Sequence, residues 1–218
     1  ALLQEAREII AGCIHAAPEE IFFTSGGSES DNWAVKGLLE KDDYRQTVTS
    51  SFEHHAILHS CETIERLGFP VSYVSPDHSG HVTVDALGRA LTKKTKLVSI
   101  MMSNNELGTI QPIKELCEIA HAHGALFHTD AVQSMGHIPI DVRELGVDMM
   151  SASSHKFNGP KGIGFLYLRK GTRIRPYMDG GAQERGLRAG TENVASIVGM
   201  AAALEENVHH MTANHQHL

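Results

Sequence analysis

Lys156 closes the run Ser153-Ser154-His155-Lys156, which follows the mostly apolar stretch Gly146-Val147-Asp148-Met149-Met150. An apolar run that ends in hydroxyls, an imidazole and an amine reads as a strand delivering lysine into a polar site. Lysine at the rim of a core is costly unless its nitrogen has a partner or a task there. Taken alone, the segment reads sooner as an ordinary strand end with an exposed lysine. Asp130 changes that reading, because it stands in a second strand-end segment, Phe127-His128-Thr129-Asp130-Ala131-Val132-Gln133.

Other polar groups sit at similar positions. Thr24-Ser25-Gly26-Gly27-Ser28-Glu29-Ser30 lies between a strand and a helix. Its glycines allow close backbone approach, and a helix N-terminus offers free N–H groups to an anion. It reads equally as a plain turn with Ser28 as N-cap. Glu53-His54-His55 follows the next strand, with His59 four residues on. A flat imidazole there could stack on an aromatic cofactor, mark a solvated helix start, or join a zinc site that lacks a third ligand. In Ser103-Asn104-Asn105-Glu106-Leu107-Gly108, an asparagine could cap the turn or donate to a ligand oxygen. Asp130 could cap a helix, or keep a pyridinium nitrogen protonated and so make a cofactor ring an electron sink. The stretch Gly180–Asn193 is longer than an ordinary connection, which favours function. An amine, a carboxylate and phosphate-friendly donors at successive strand ends are the parts needed to hold pyridoxal phosphate.

The elements that must position these groups follow from hydrophobic periodicity. Residues 1–16 show one apolar helical face through Leu3, Ala6, Ile10 and Ile14. Short apolar runs at 21–24, 47–51, 71–74, 97–102, 125–129, 147–152 and 163–168 predict strands. Helical stretches at 29–40, 56–67, 84–91 and 113–123 lie between most of them, and a last helix covers 192–211. Pro112 and Gly124 stand where the 113–123 helix should open and close. This alternation predicts an α/β domain, a three-layer fold with a mostly parallel sheet of about seven strands flanked by helices. No helix separates the last two strands, so one of them is expected to run antiparallel. Ligands in such sheets gather beyond the carboxyl ends of the strands.

The 218 residues, 41% hydrophobic, suffice for one sizeable core. A net charge of −7 with dispersed basic residues argues against a nucleic-acid surface. No apolar run reaches the roughly 20 residues of a membrane span. Cys13, Cys61 and Cys117 have no metal or disulfide spacing, and this sparse, odd set suits a reducing, cytoplasmic setting.

Read in order, TSGGSESDN, EHHAIL, NNELG, HTDAVQS, SSHKFNGPKGIG and GGAQERGLRAGTEN resemble the cysteine desulfurases, in the class V aminotransferase-like branch of fold-type I pyridoxal-phosphate enzymes. The likeness runs along essentially the whole chain. It implies that Lys156 forms the imine link to the cofactor aldehyde and shuttles a proton, and that His54 stacks on the ring. Asp130 would pair with the ring nitrogen, Gln133 with the phenolic oxygen, and Asn105 would face the ring oxygen and substrate. Gly27, Ser28, Ser153 and His155 would hold the phosphate. Thr191 would reach the phosphate of the neighbouring subunit's cofactor in a homodimer. The positions of Gly27 and Ser28 are often alanine and threonine in the family.

The implied reaction converts L-cysteine to alanine and passes sulfur to an acceptor or scaffold protein, for iron–sulfur or thio-cofactor assembly. By the same likeness, residues 1–218 correspond to the cofactor-binding large domain, without the family's N-terminal segment and C-terminal small domain. The sulfur-carrying cysteine and the substrate-binding arginine belong to that missing part. Two alternatives stand beside this reading. One is another class V activity, a selenocysteine lyase or an aminotransferase; the other is an inert cofactor-binding or dimerisation fragment.

Overall fold

Short runs of four and five residues make the strands, and all but the edge strand Val71–Val74 are buried on both faces. They are β1 (Ile21–Thr24), β2 (Gln46–Ser50), β3 (Val71–Val74), β4 (Thr95–Ser99), β5 (Leu126–Asp130), β6 (Met149–Ser153) and β7 (Gly164–Leu168). In the computed structural model, which describes residues 1–215, they form one sheet in the order β1-β7-β6-β5-β4-β2-β3. Strand β7 is antiparallel to β6 and to β1, and the other pairings are parallel. The predicted reversal is therefore β7. Two antiparallel neighbours leave β1 parallel to β6, so the carboxyl ends of β1, β2, β4, β5 and β6 share one edge.

The helices are α1 (Leu2–Cys13), α2 (Gly27–Lys36), α3 (His55–Arg66), α4 (Val84–Ala90), α5 (Ile113–Ala122), α6 (Val142–Leu145) and α7 (Val194–His215). Side chains alternate across a strand, so each strand feeds two cores. Phe22, Leu97, Met149, Leu166 and Leu168 pack with Trp33 and Ala34 of α2 and with Ile57, Cys61 and Ile64 of α3. Their neighbours Phe23, Val98, Met150, Phe165 and Tyr167 join the larger core on the opposite face, with residues of α1, α4, α5 and α7. That is the predicted three-layer architecture. No helix among the described residues is long and apolar enough to cross a membrane.

Several boundaries differ from the periodicity. Helix α2 begins at Gly27, with Gly26 as N-cap, so Ser28 lies inside the first turn and does not cap it. It ends at Lys36, where the Gly37 amide donates to the Trp33 carbonyl at 2.7 Å. Pro112 is the N-cap of α5. The short α6 has no apolar period of its own; the Asp141 carboxylate caps it by accepting from the Arg143 and Glu144 amides.

Candidate active site

The shared strand edge opens into a cavity of about 410 Å³. Nine of the ten candidate residues line it: Gly27, Ser28, His54, Asn105, Asp130, Gln133, Ser153, His155 and Lys156. They arrive from the ends of β1, β2, β4, β5 and β6. Thr191 is not among them. It is exposed and lines a smaller hollow of about 150 Å³ with Arg188 and Asn193.

One end of the cavity is built for an anion. Gly26 adopts φ 148° and ψ −176°, a conformation essentially restricted to glycine. It turns the chain directly from β1 into α2, whose first-turn amides have no intrahelical acceptor. The loop lies tightly on β7: a Cβ at Gly164 would stand 2.7 Å from the Gly26 Cα and 2.4 Å from the Ala152 carbonyl oxygen. Ser153 and His155 complete this end, with Ser153 Oγ 3.0 Å from His155 Nδ1. Burial, then the Lys156 and Lys161 ammoniums, push the His155 pKa down and favour its neutral ring. Glu29, the acidic residue of the α2 first turn, also lines the cavity; its carboxylate is neutralised by Arg188 at 2.7 and 3.0 Å and accepts from the Ser25 amide at 2.9 Å.

The opposite end is acidic and buried. Asp130 is 5% exposed, and its Oδ1 accepts from the Val132 amide at 2.9 Å. Burial pushes its pKa up, against the Val132 amide, the His54 ring, the Asp31 side chain and the Lys156 ammonium, which pull it down. Lys156 sits between the two ends, half-buried in the 3-10 turn Ser154–Phe157 directly after β6. Among the described residues its ammonium donates no hydrogen bond.

His54 is the N-cap of α3, and its Nδ1 accepts from the Ala56 amide at 3.1 Å. That bond fixes the ring at the cavity mouth. The two asparagines separate in role. Asn104 builds the turn, donating to the Phe52 carbonyl and accepting from the Glu106 and Leu107 amides, while Asn105 faces the cavity. The zinc alternative finds no support in the geometry. His55 and His59 stack face to face at 5.0 Å, and no three His, Cys, Asp or Glu gather as metal ligands would, among the described residues.

Residue-by-residue reading missed Asp31 and Glu53, both buried; Asp31 lines the cavity and Glu53 lies beside it. The signal for Asp31 was its spacing: it lies four residues after Gly27, next to Ser30, on the α2 face that also carries Ala34 and Val35. A carboxylate on a sheet-facing stripe is an anomaly that helical periodicity exposes. Burial pushes the Glu53 pKa up to about 8.

The long glycine-rich stretch is rigidly seated. Glu184 and Arg185 both hold positive φ, 44° and 59°. The Glu184 carboxylate is buried, where it accepts from Arg7 at 2.7 and 2.9 Å and from the Phe23 amide at 2.9 Å. Arg7 and Arg185 both donate to the Ile21 carbonyl.

Residues 1–217 match the family model described as aminotransferase class-V. The chain is 54% identical over 205 residues to the cysteine desulfurase IscS of Dictyoglomus turgidum, covering 93% of this chain and 52% of that protein. It is also 54% identical to the cysteine desulfurase IscS of Methanosarcina thermophila, covering 92% and 50%. Among solved structures, a NifS-like protein superposes with a TM-score of 0.97 at 44% identity, over 99% of this chain and 60% of the other. A structure described as SspA in complex with cysteine superposes at 0.91 and 44% identity, over 94% and 60%. The chain thus spans about half the length of the curated relatives it matches. With a seven-stranded sheet, a strand-end cavity and a match along residues 1–217, the chain belongs to the aminotransferase class-V family.

Proposed function

We propose that this chain binds pyridoxal phosphate and forms the cofactor-binding part of a cysteine desulfurase. The observation that carries the reading is the cavity itself, which places an anion cradle, an unengaged lysine and a buried carboxylate in sequence along one strand edge. When bound, the cofactor supplies an electron sink that stabilises negative charge at the substrate α-carbon. The residues of the chain do the rest. Gly27 and Ser28 amides, Ser153 and His155 bind the phosphate. Asp130 holds the proton on the ring nitrogen, Gln133 donates to the phenolic oxygen, and His54 covers the ring face. Asn105 orients the substrate beside the ring oxygen. Lys156 anchors the aldehyde, and its amine then moves the α-proton of the substrate. L-cysteine is the proposed substrate, and Thr191 serves the cavity of a second subunit in a homodimer.

Sulfur acceptance is a separate matter. No cysteine of the chain lines the cavity. Burial pushes the thiol of Cys13 up to about 11 and those of Cys61 and Cys117 up to about 12, which withholds the thiolate that attacks sulfur. The isolated chain should bind the cofactor without efficient sulfur transfer. Reconstitution with pyridoxal phosphate should give a visible absorbance band that is absent in Lys156→Ala. A band of equal strength in the variant, or none in the parent chain, overturns the proposal.

A further inference from the structure

A polar seam leads from the cavity into the layer between the sheet and α2. Leu126, His128 and Asp130 alternate onto one face of β5, as do Met149, Ser151 and Ser153 on β6. Asp31 of α2 lies against them, 1% exposed, and its carboxyl meets that of Asp130. Its Oδ1 is fully buried and has no hydrogen-bond partner. An orphaned oxygen of this kind requires an explanation.

No cation is close enough to provide one. His128 Nε2 is 3.8 Å from Asp31 Oδ1, but that ring is already committed, with Nδ1 2.8 Å from Ser99 Oγ and Nε2 2.9 Å from Ser151 Oγ. Burial pushes its pKa down to about 3, so it is neutral. Glu53 is a third buried carboxyl whose charge interacts with the pair. Among the described residues, the Lys156 ammonium, the one fixed positive charge that acts on this cluster, acts on Asp130, whereas Asp31 has only the Ser151 side chain to pull its pKa down. Two adjoining carboxyls that share one source of compensation cannot both ionise.

We propose that Asp31 is a positioning residue: a neutral carboxylic acid whose O–H donates to Asp130, fixing that carboxylate as the single anion under the cofactor's ring nitrogen. A proton on Asp31 removes the charge that the orphaned, fully buried oxygen would otherwise share without compensation. Asp130 then accepts from both the Val132 amide and Asp31, which pins its plane and lowers its basicity. Burial as the leading cause of the raised Asp31 pKa, with the Asp130 charge next, agrees with this assignment. The inference rests on the pyridoxal-phosphate reading for its function but not for its protonation state.

Two measurements test it. Affinity is compared for pyridoxal phosphate and for the analogue in which a carbon replaces the ring nitrogen. Asp31→Ala should weaken pyridoxal phosphate by about 10-fold or more, the worth of one hydrogen bond to a charged group. The carbon analogue should change by less than about 2-fold, since it makes no demand on Asp130. Asp31→Asn, a neutral donor of similar size, should bind both like the parent chain. Equal weakening of both ligands, no weakening of either, or loss in Asp31→Asn matching that in Asp31→Ala overturns the proposal. The second measurement needs neither ligand nor the alanine variant. Infrared difference spectra of the parent chain against Asp31→Asn at neutral pH should show a protonated carboxyl stretch lost in the variant, and its absence refutes the assignment. A parent chain that shows this stretch but binds no pyridoxal phosphate leaves Asp31 protonated while sinking the cofactor reading.

Discussion

Glu184→Gln is expected to destabilise the chain far more than the loss of one surface charge. The Arg7 and Glu184 side chains are 10% and 4% exposed and meet in a two-point hydrogen bond. Removing one partner of a buried pair typically costs about 3–5 kcal/mol, because the other charge stays buried without compensation. Here the loss is sharpened by Arg185, which shares the Ile21 carbonyl with Arg7. Without the carboxylate, two guanidiniums converge on one oxygen. Glutamine still accepts from the Phe23 amide, so the substitution isolates the charge. For a domain of this size about 1 kcal/mol corresponds to about 2–4 °C, which puts the fall in Tm between about 6 and 20 °C. Urea and thermal unfolding followed by circular dichroism measure both quantities. Arg7→Met should cost a similar amount. The double variant leaves no unpaired charge, so it should be less destabilised than the sum of the singles by about 1–3 kcal/mol. A loss under about 1 kcal/mol for Glu184→Gln, or additive singles, would refute the clamp.

Two further substitutions probe the cavity and its buried surroundings. Glu53 has a folded-state pKa of about 8 against an ordinary 4.5, so the folded chain keeps a proton that the unfolded chain releases. Stability contributed by this group is therefore present below pH 4.5 and is lost as pH rises towards 8. Glu53→Gln removes that loss, and urea melts should show the variant gaining on the parent chain between pH 5 and pH 8 (about those values); a gain that is flat with pH contradicts the burial argument. At Gly27, an added Cβ would stand 2.6 Å from Val132 Cγ2. Gly27→Ala should therefore cost about 1–3 kcal/mol through overpacking and weaken pyridoxal-phosphate binding, with Val132→Ala restoring both in calorimetric and binding titrations. Failure of that rescue would place the clash elsewhere.

The sheet was legible wherever burial acted through local pattern. Runs at β1 and β3 match their strands residue for residue, and the missing crossover helix signalled a reversal in one of the last two strands, which the sheet shows to be β7. Nine strand-end residues converged because parallel strands bring their carboxyl ends to one edge. What stayed hidden depends on backbone conformation or on packing between distant segments. Gly26 took the cap position from Ser28 because only glycine tolerates the required φ and ψ, and hydroxyl preference does not reveal that. The left-handed pair Glu184 and Arg185 has no signal in residue type, and its main partner, Arg7, lies 177 residues earlier. Asp31 could have been found by extending the α2 stripe past its glycines. Thr191 lies apart from the cavity within one chain, and its proposed task belongs to a symmetry that one chain does not contain.

Gly164 has a consequence for how faults propagate through the site. The first residue of β7 is paired with Thr24 on one side and with Ser153 on the other. The two strand ends that lead into the jaws of the cradle, Thr24 of β1 and Ser153 of β6, are therefore gauged from one backbone position, with strand axes two spacings or about 9–10 Å apart. An insertion or deletion in the Lys161–Gly162 turn that slipped β7 by one residue would displace both jaws relative to β7 by the same step. Their mutual gap would survive such an error better than their alignment with Asp130, which is registered through β5. Tolerance is thus distributed unevenly: in the proposed cofactor site the grip on the phosphate would be self-referenced, whereas the aim of the ring towards its carboxylate would depend on the stacking of the whole sheet.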